Sequence, residues 1–273
     1  MRTRARGNRR SPIIALICVL ALAGCLSSMP HDEHDSDGDS TPAALIWAEP
    51  FPTLLIEVDY VEGREPSRLA LDVLLATLTE VTDKREVIIQ TPTALPREDP
   101  RFSGPRDWSA AELFALRKEF FDAGHPAELG RDGVAFLHVM YLNGRFVDDE
   151  VSGVGAQIGP AVYVFLDRAR DLSVGHYGTP NPTREYDERS ILIHEVGHAL
   201  GLVNHGIPMI VDRLHNDGRH SNRPESVMWP GLRGPSFLEI VQDNTWTPYR
   251  FDEYDLQDLQ TFREAGRARS TRH

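Results

Sequence analysis

Residues 194–206 read HEVGHALGLVNHG, and every other part of the chain is best approached from this stretch. The residues before it, from Tyr186 on, place Ile191, Leu192, Val196, Ala199 and Leu200 along one apolar side, which predicts a helix over Tyr186–Leu202. On such a helix positions i and i+4 share a face, so the imidazoles of His194 and His198 can converge on one ion. Zinc suits them, because it accepts neutral nitrogen ligands in a tetrahedron and keeps one position for water. Glu195 lies next to that water without sharing the histidine face, where a carboxylate can take a proton from the water and pass it to a leaving amine. The chemistry implied is metal-assisted hydrolysis of a peptide bond, with Glu195 as the general base.

An HExxH string arises by accident in roughly one chain in several tens of this length, so its surroundings matter. Gly201 stands three residues beyond His198, where a left-handed residue ends a helix and turns the chain back. Downstream, residues 226–230 read SVMWP. With these two features the chain resembles the metzincins, whose pattern is HExxHxxGxxH followed by a methionine turn beneath the zinc. HEVGHALGL is similar to the active-site helix of the matrixin branch, and SVMWP to its methionine turn, with Met228 as the methionine. The resemblance implies a zinc endopeptidase of α+β, zincin-like class, with a mixed twisted sheet, the active-site helix and a smaller C-terminal subdomain. It is close only over 194–201 and 226–230.

The third ligand departs from that pattern. A metzincin has His, or Asp in the snapalysin-like branch, at the position held here by Asn204, and His205 follows at once. Imidazole is the better zinc ligand, and a turn one residue longer than usual brings His205 to the metal. Asn204, directly or through water, and His215 or His220 are the alternatives. His215, Asp217 and His220 belong to HNDGRH, a segment longer than its matrixin counterpart, which reads as a second metal site, a substrate-contacting loop or a solvated loop. His138, on a predicted strand, reads as a hydrogen-bonded core or edge residue. His176, in VGHYG, is similar to loop histidines that bind structural metals in matrixins.

Two other readings compete. In a gluzincin arrangement the third ligand is a glutamate on a later helix, and Glu239 with Asp243 in SFLEIVQD supplies such a pattern, but Gly201 and Met228 are then unexplained. In the other, the chain is a non-catalytic zinc-binding surface lipoprotein on the same scaffold. A purely structural metal site has no need of a general base at Glu195.

Outward from the motif, elements alternate. Thr53–Tyr60 (TLLIEVDY), Glu86–Gln90 (EVIIQ), Val134–Leu142 (VAFLHVMYL) and Ala161–Leu166 (AVYVFL) read as strands. Helices are expected after Ser67 to Val81, from the capping box Ser109/Glu112 to about Asp122, and from Phe251 or Asp252 to Ala265. Interleaving of this kind predicts a sheet with helices packed on it.

The N-terminus is of another character. Five arginines precede an apolar run, Pro12 to Ala23, that ends in Leu22-Ala23-Gly24-Cys25. The run is short for a membrane span, and its end resembles a bacterial lipobox in which Cys25 is acylated. The expected organisation is a signal over 1–24, a lipidated cysteine and acidic tether over 25–43, and one catalytic domain over 44–273. His31 and His34 belong to that solvated tether. Leu26 and Ser27 follow the cysteine, without the aspartate that marks inner-membrane retention in some bacteria, so an outer-membrane or cell-surface anchor is expected.

Removal of residues 1–24, with five arginines and no acid, takes the net charge from -12 to -17. Such acidity disfavours nucleic acid and anionic lipid as partners, while the resemblance implies a protein or peptide substrate. The only cysteines are Cys18 and Cys25, so the catalytic domain has neither disulfides nor thiolate metal ligands.

Overall fold

The structure, a computed structural model, describes residues 41–122, 133–147, 154–168, 182–230 and 250–271. Cys25, His31, His34, His176, Glu239 and Asp243 lie outside them. The first described element, α1 (Pro42–Ile46), is capped by the Thr41 hydroxyl and buries Ala44, Leu45 and Ile46. The tether expected over 25–43 therefore gives way to packed structure at its last residues. Among the described residues no helix is long and apolar enough to cross a membrane.

The main sheet contains β1 (Thr53–Tyr60), β2 (Glu86–Ile89), β3 (Thr93–Ala94), β5 (Val134–Tyr141), β7 (Gly155–Ile158) and β8 (Ala161–Val164), in the order β2-β1-β5-β8-β7, with β3 also on β1. All pairings are parallel except β7 with β8, so the last strand runs against the others. A separate two-residue ladder joins β4 (Asp107–Trp108) to β6 (Arg145–Phe146). The helices among the described residues are α1, α2 (Arg68–Val81), α3 (Ala110–Phe120), α4 (Pro182–Ala199) and α5 (Glu253–Ser270), besides a 3-10 turn at Pro100–Phe102. This is the mixed sheet with packed helices that the alternating pattern predicts.

The central strands are buried on both faces because both are covered. Leu54, Ile56 and Val58 of β1 join Leu137, Val139, Val162 and Val164 in a core shared with α2 and α4. The alternate residues of β5 and β8, among them Met140, Tyr163 and Phe165, pack against Leu113 and Leu116 of α3 and against Trp108. Helix starts follow the sequence closely. Ser67 caps α2, while Ser109 and Glu112 form the reciprocal box that opens α3. The active-site helix starts earlier than its apolar pattern implies, at Pro182, because its first turns are polar. The last helix runs on to Ser270 through a charged segment. Its first half is held by burial of Leu259, and its later turns stack Phe262 on Trp47 with ring centroids 4.9 Å apart.

Asp83, just past α2, accepts hydrogen bonds from Arg263 and Arg267 of α5 at 2.6–2.9 Å. Burial raises its carboxyl, but the two guanidiniums outweigh that and hold the pKa below the ordinary 3.8. The folded state thus favours the ionised form. Its stabilisation is complete above the unfolded pKa and is lost as pH falls through the lower, folded one. Asp83→Asn should cost about 1–2 kcal/mol at neutral pH, since Arg267 is largely solvated. Urea titrations of both proteins should converge once the pH falls below the lowered, folded pKa, where the native carboxyl is protonated as well.

Candidate metal centre

The helix α4 lies between the sheet and the C-terminal part of the chain, with Ile191, Leu192, Ile193, Val196, Ala199 and Leu200 all buried. Burial on more than one side fixes the rotation of the helix about its axis, and so fixes where its two histidines point. The Nε2 atoms of His194 and His198 lie 3.1 Å apart. Two ligands on one tetrahedral zinc are separated by roughly 3.3 Å, given Zn–N bonds of about 2.0–2.1 Å. His220 completes the group: one ligand atom from each of His194, His198 and His220 falls within 4.8 Å of the others.

Two of the rings are held so that a nitrogen remains for an ion. His194 Nδ1 donates to the carbonyl of Val227 at 2.7 Å, which puts the neutral ring's proton on Nδ1 and leaves Nε2 with its lone pair. His220 Nδ1 donates to Asp217 Oδ2 at 2.8 Å with the same effect. Burial, and then the neighbouring imidazoles, push the His198 pKa well below its ordinary value. For His198 this favours the neutral imidazole, the form that binds metal. The donor set of three imidazole nitrogens fits zinc.

The histidine that lies with His194 and His198 is His220, one of the alternatives. His205, the favoured candidate, stands beside the trio rather than in it. Its ring centroid is 4.2 Å from that of His198, and its Nδ1 donates to Val203 O at 3.0 Å. Asn204 is exposed, with φ +68°, and its amide donates to Gly218 O at 3.4 Å. His215 remains outside the trio, bonded through Nδ1 to Asp217 Oδ2 at 3.1 Å.

His220 arrives by a hairpin. Leu214 and Ser221 form an antiparallel bridge, and His215 N–H donates to His220 O at 2.7 Å, so Asn216-Asp217-Gly218-Arg219 makes the turn. Gly218 takes the left-handed conformation there, φ +75°. The Asp-Gly pair inside HNDGRH is a signal for this hairpin, and it is the clue by which His220 could have been preferred.

The turn after the helix is a Schellman motif: Leu202 N donates to Gly197 O at 3.0 Å and Gly201 N to His198 O at 2.9 Å. Gly201 has φ +90°, open to glycine at little cost. Val203 follows at φ +49°, a conformation that strains a β-branched residue and that its complete burial must offset. Two positive-φ residues in succession tighten this turn and carry Asn204 outward.

Beneath the histidines sits Met228, wholly buried. A Cβ on Gly197 would meet its sulfur at 2.3 Å and the Phe251 ring at 2.9 Å, so glycine within HEVGH is what admits the methionine. The segment is pinned from the last helix: Ser226 Oγ donates to Asp255 Oδ2 at 2.5 Å and accepts from Met228 N at 2.8 Å. The same aspartate, with Asp258, receives the buried Arg213 at 2.8 and 2.6 Å. Arg213 O accepts from Asn222 N at 2.7 Å, which fastens the base of the His220 hairpin. Neither Gly197 nor Arg213 is conspicuous in the sequence.

Glu195 is buried, with 8% of its surface exposed, and faces the sheet edge. A Cβ on Gly155 of β7 would lie 2.4 Å from its Oε1, so the strand passes directly against the carboxylate. The short strand Gly155–Ile158 escapes prediction because four residues containing one glycine carry too little periodicity.

No protein-family profile matches the chain, and no curated protein does. Among solved structures it is similar to archaemetzincin from Methanopyrus kandleri, with a TM-score of 0.41 and 16% identity, over 77% of this chain and 93% of that one. A likeness this distant does not carry the site; the side-chain geometry does.

Proposed function

We propose that the protein is a zinc-dependent endopeptidase in which His194, His198 and His220 hold the metal and Glu195 is the general base. The observation that carries this reading is the convergence of three imidazoles, two of them from the helix that also carries the buried Glu195, with His194 and His220 each oriented through Nδ1. Zinc bound there would lower the pKa of a coordinated water to about 7 and polarise the scissile carbonyl. Glu195 Oε1, pressed toward Gly155, takes the proton from the attacking water and delivers it to the departing amine. The strand β7 forms the sheet edge beside Glu195, and an extended peptide can add to that edge through main-chain hydrogen bonds.

The test is zinc content of the purified protein together with cleavage of an unfolded protein substrate, with and without a chelator. Stoichiometric zinc and chelator-sensitive cleavage are expected. Zinc without cleavage would support the non-catalytic alternative, a zinc-binding surface lipoprotein. Gly155→Ala probes the placement of the base. A methyl group there should displace the carboxylate and lower kcat by about 10- to 100-fold, because a shift near 1 Å is costly at a reacting centre. Zinc content should stay native, and a native kcat would refute the contact.

On sequence grounds alone we also propose export by residues 1–24 and acylation at Cys25, anchoring the acidic domain at the cell envelope. Labelling with a radioactive fatty acid should mark the native protein and not Cys25→Ala.

A further inference from the structure

On the face of the sheet turned away from α4 lies a second group of metal-ligating side chains: Glu57 and Asp59 of β1 and His138 of β5. Side chains alternate along a strand, so Glu57 and Asp59 share the face opposite to Leu54, Ile56 and Val58, which pack in the core with α4. Glu57 and His138 are direct partners in the parallel register. All three are buried, His138 completely, and one ligand atom from each lies within 4.8 Å of the other two.

We propose that Glu57, Asp59 and His138 form a second divalent-cation site, separate from the histidine trio. The donor set of two carboxylates and one imidazole suits a borderline ion such as Zn²⁺ or Mn²⁺. Two ligands across an ion at about 2.0–2.2 Å are separated by at most roughly 4.4 Å, so the cluster closes on a cation with shifts of a few tenths of an ångström. The register of two central strands holds the groups in place.

An independent observation concerns His138. Its Nε2 is 2.8 Å from Asp59 Oδ2, while its Nδ1 is buried with no hydrogen-bond partner. A ring nitrogen sealed from water without a partner is costly. A turn of the ring that presents Nδ1 to the ion would give that nitrogen the partner it lacks. Phe121, at the end of α3, stacks on the imidazole at 5.1 Å, and Asp122 N donates to Glu57 Oε1 at 3.0 Å, so the end of this helix covers the cluster. The nearby guanidinium of Arg117, whose Cζ lies 5.1 Å from the Phe121 ring centroid, supplies a positive charge of its own. The experiment must therefore separate a cation site from an ion-paired core.

Zn²⁺ and, separately, Mn²⁺ are added to metal-stripped native protein and to a His194→Ala/His198→Ala variant, and bound metal is measured after dialysis by mass spectrometry. Two equivalents of Zn²⁺ in the native protein and one in the variant are expected. Asp59→Asn and His138→Gln should each remove one equivalent and leave the zinc held by the trio. The proposal is overturned if the folded His194→Ala/His198→Ala variant retains no metal, or if folded Asp59→Asn and His138→Gln proteins bind as much as the native chain. Should those two substitutions prevent folding, the measurement on the His194→Ala/His198→Ala protein still decides the matter, since it leaves the second cluster intact.

Discussion

Glu195→Gln is expected to bind zinc as the native protein does and to cleave an unfolded substrate about a thousandfold more slowly. The amide keeps the shape of the carboxylate, so it can occupy the same space against Gly155. What it loses is the ability to accept a proton. General-base catalysis contributes about 10²–10⁴-fold, and here one group also serves the leaving amine, which puts the loss in the upper half of that range. Glu195 is not among the three histidines proposed to hold the metal, so metal content should not change. Single-turnover cleavage and metal analysis on the same preparations check both halves. Undiminished cleavage in Glu195→Gln would remove Glu195 from the reaction, whatever the metal does.

The second large effect separates the histidines. His220→Ala removes one of three converging imidazoles and should abolish stoichiometric zinc, since two protein ligands make a weak site. His205→Ala should retain zinc: this ring lies against His198 but outside the trio. Between them stands Asp217. Its carboxylate takes hydrogen bonds from His220 Nδ1 and from the Arg219 backbone N–H, the latter at 2.9 Å. Burial raises the Asp217 pKa, but these bonds outweigh it and bring it to about 2. Asp217 is thus ionised throughout the range in which a peptidase is assayed. Asp217→Asn, which weakens the hold on the ring but leaves the ring in place, should lower zinc affinity by about 10- to 100-fold. Competition against a coloured chelator gives the ranking directly. Loss of zinc in His205→Ala with retention in His220→Ala would reverse the assignment.

Local signals in the chain account for a large part of this protein. The helix carrying His194, Glu195 and His198 follows from i, i+4 spacing and flanking apolar residues, and both follow from the 3.6-residue period of the backbone. Ser67, Ser109 and Gly201 mark helix ends because capping is an interaction between residues a few positions apart. The strands from Thr53, Glu86, Val134 and Ala161 are legible for the same reason, as short runs of residues suited to a pleated, covered surface.

Which histidine joins His194 and His198 is visible only in the tertiary structure. His205 is the nearer in sequence, but the left-handed pair Val203-Asn204 and a hairpin pinned by Arg213 to the last helix bring in His220 instead. Nothing within the motif encodes that choice, because it depends on partners roughly forty residues apart in sequence. The same holds for Gly155 against Glu195, for Gly197 over Met228, and for the meeting of Glu57, Asp59 and His138 across two strands. Spacing along the chain states which side chains can share a face, and packing determines which faces meet.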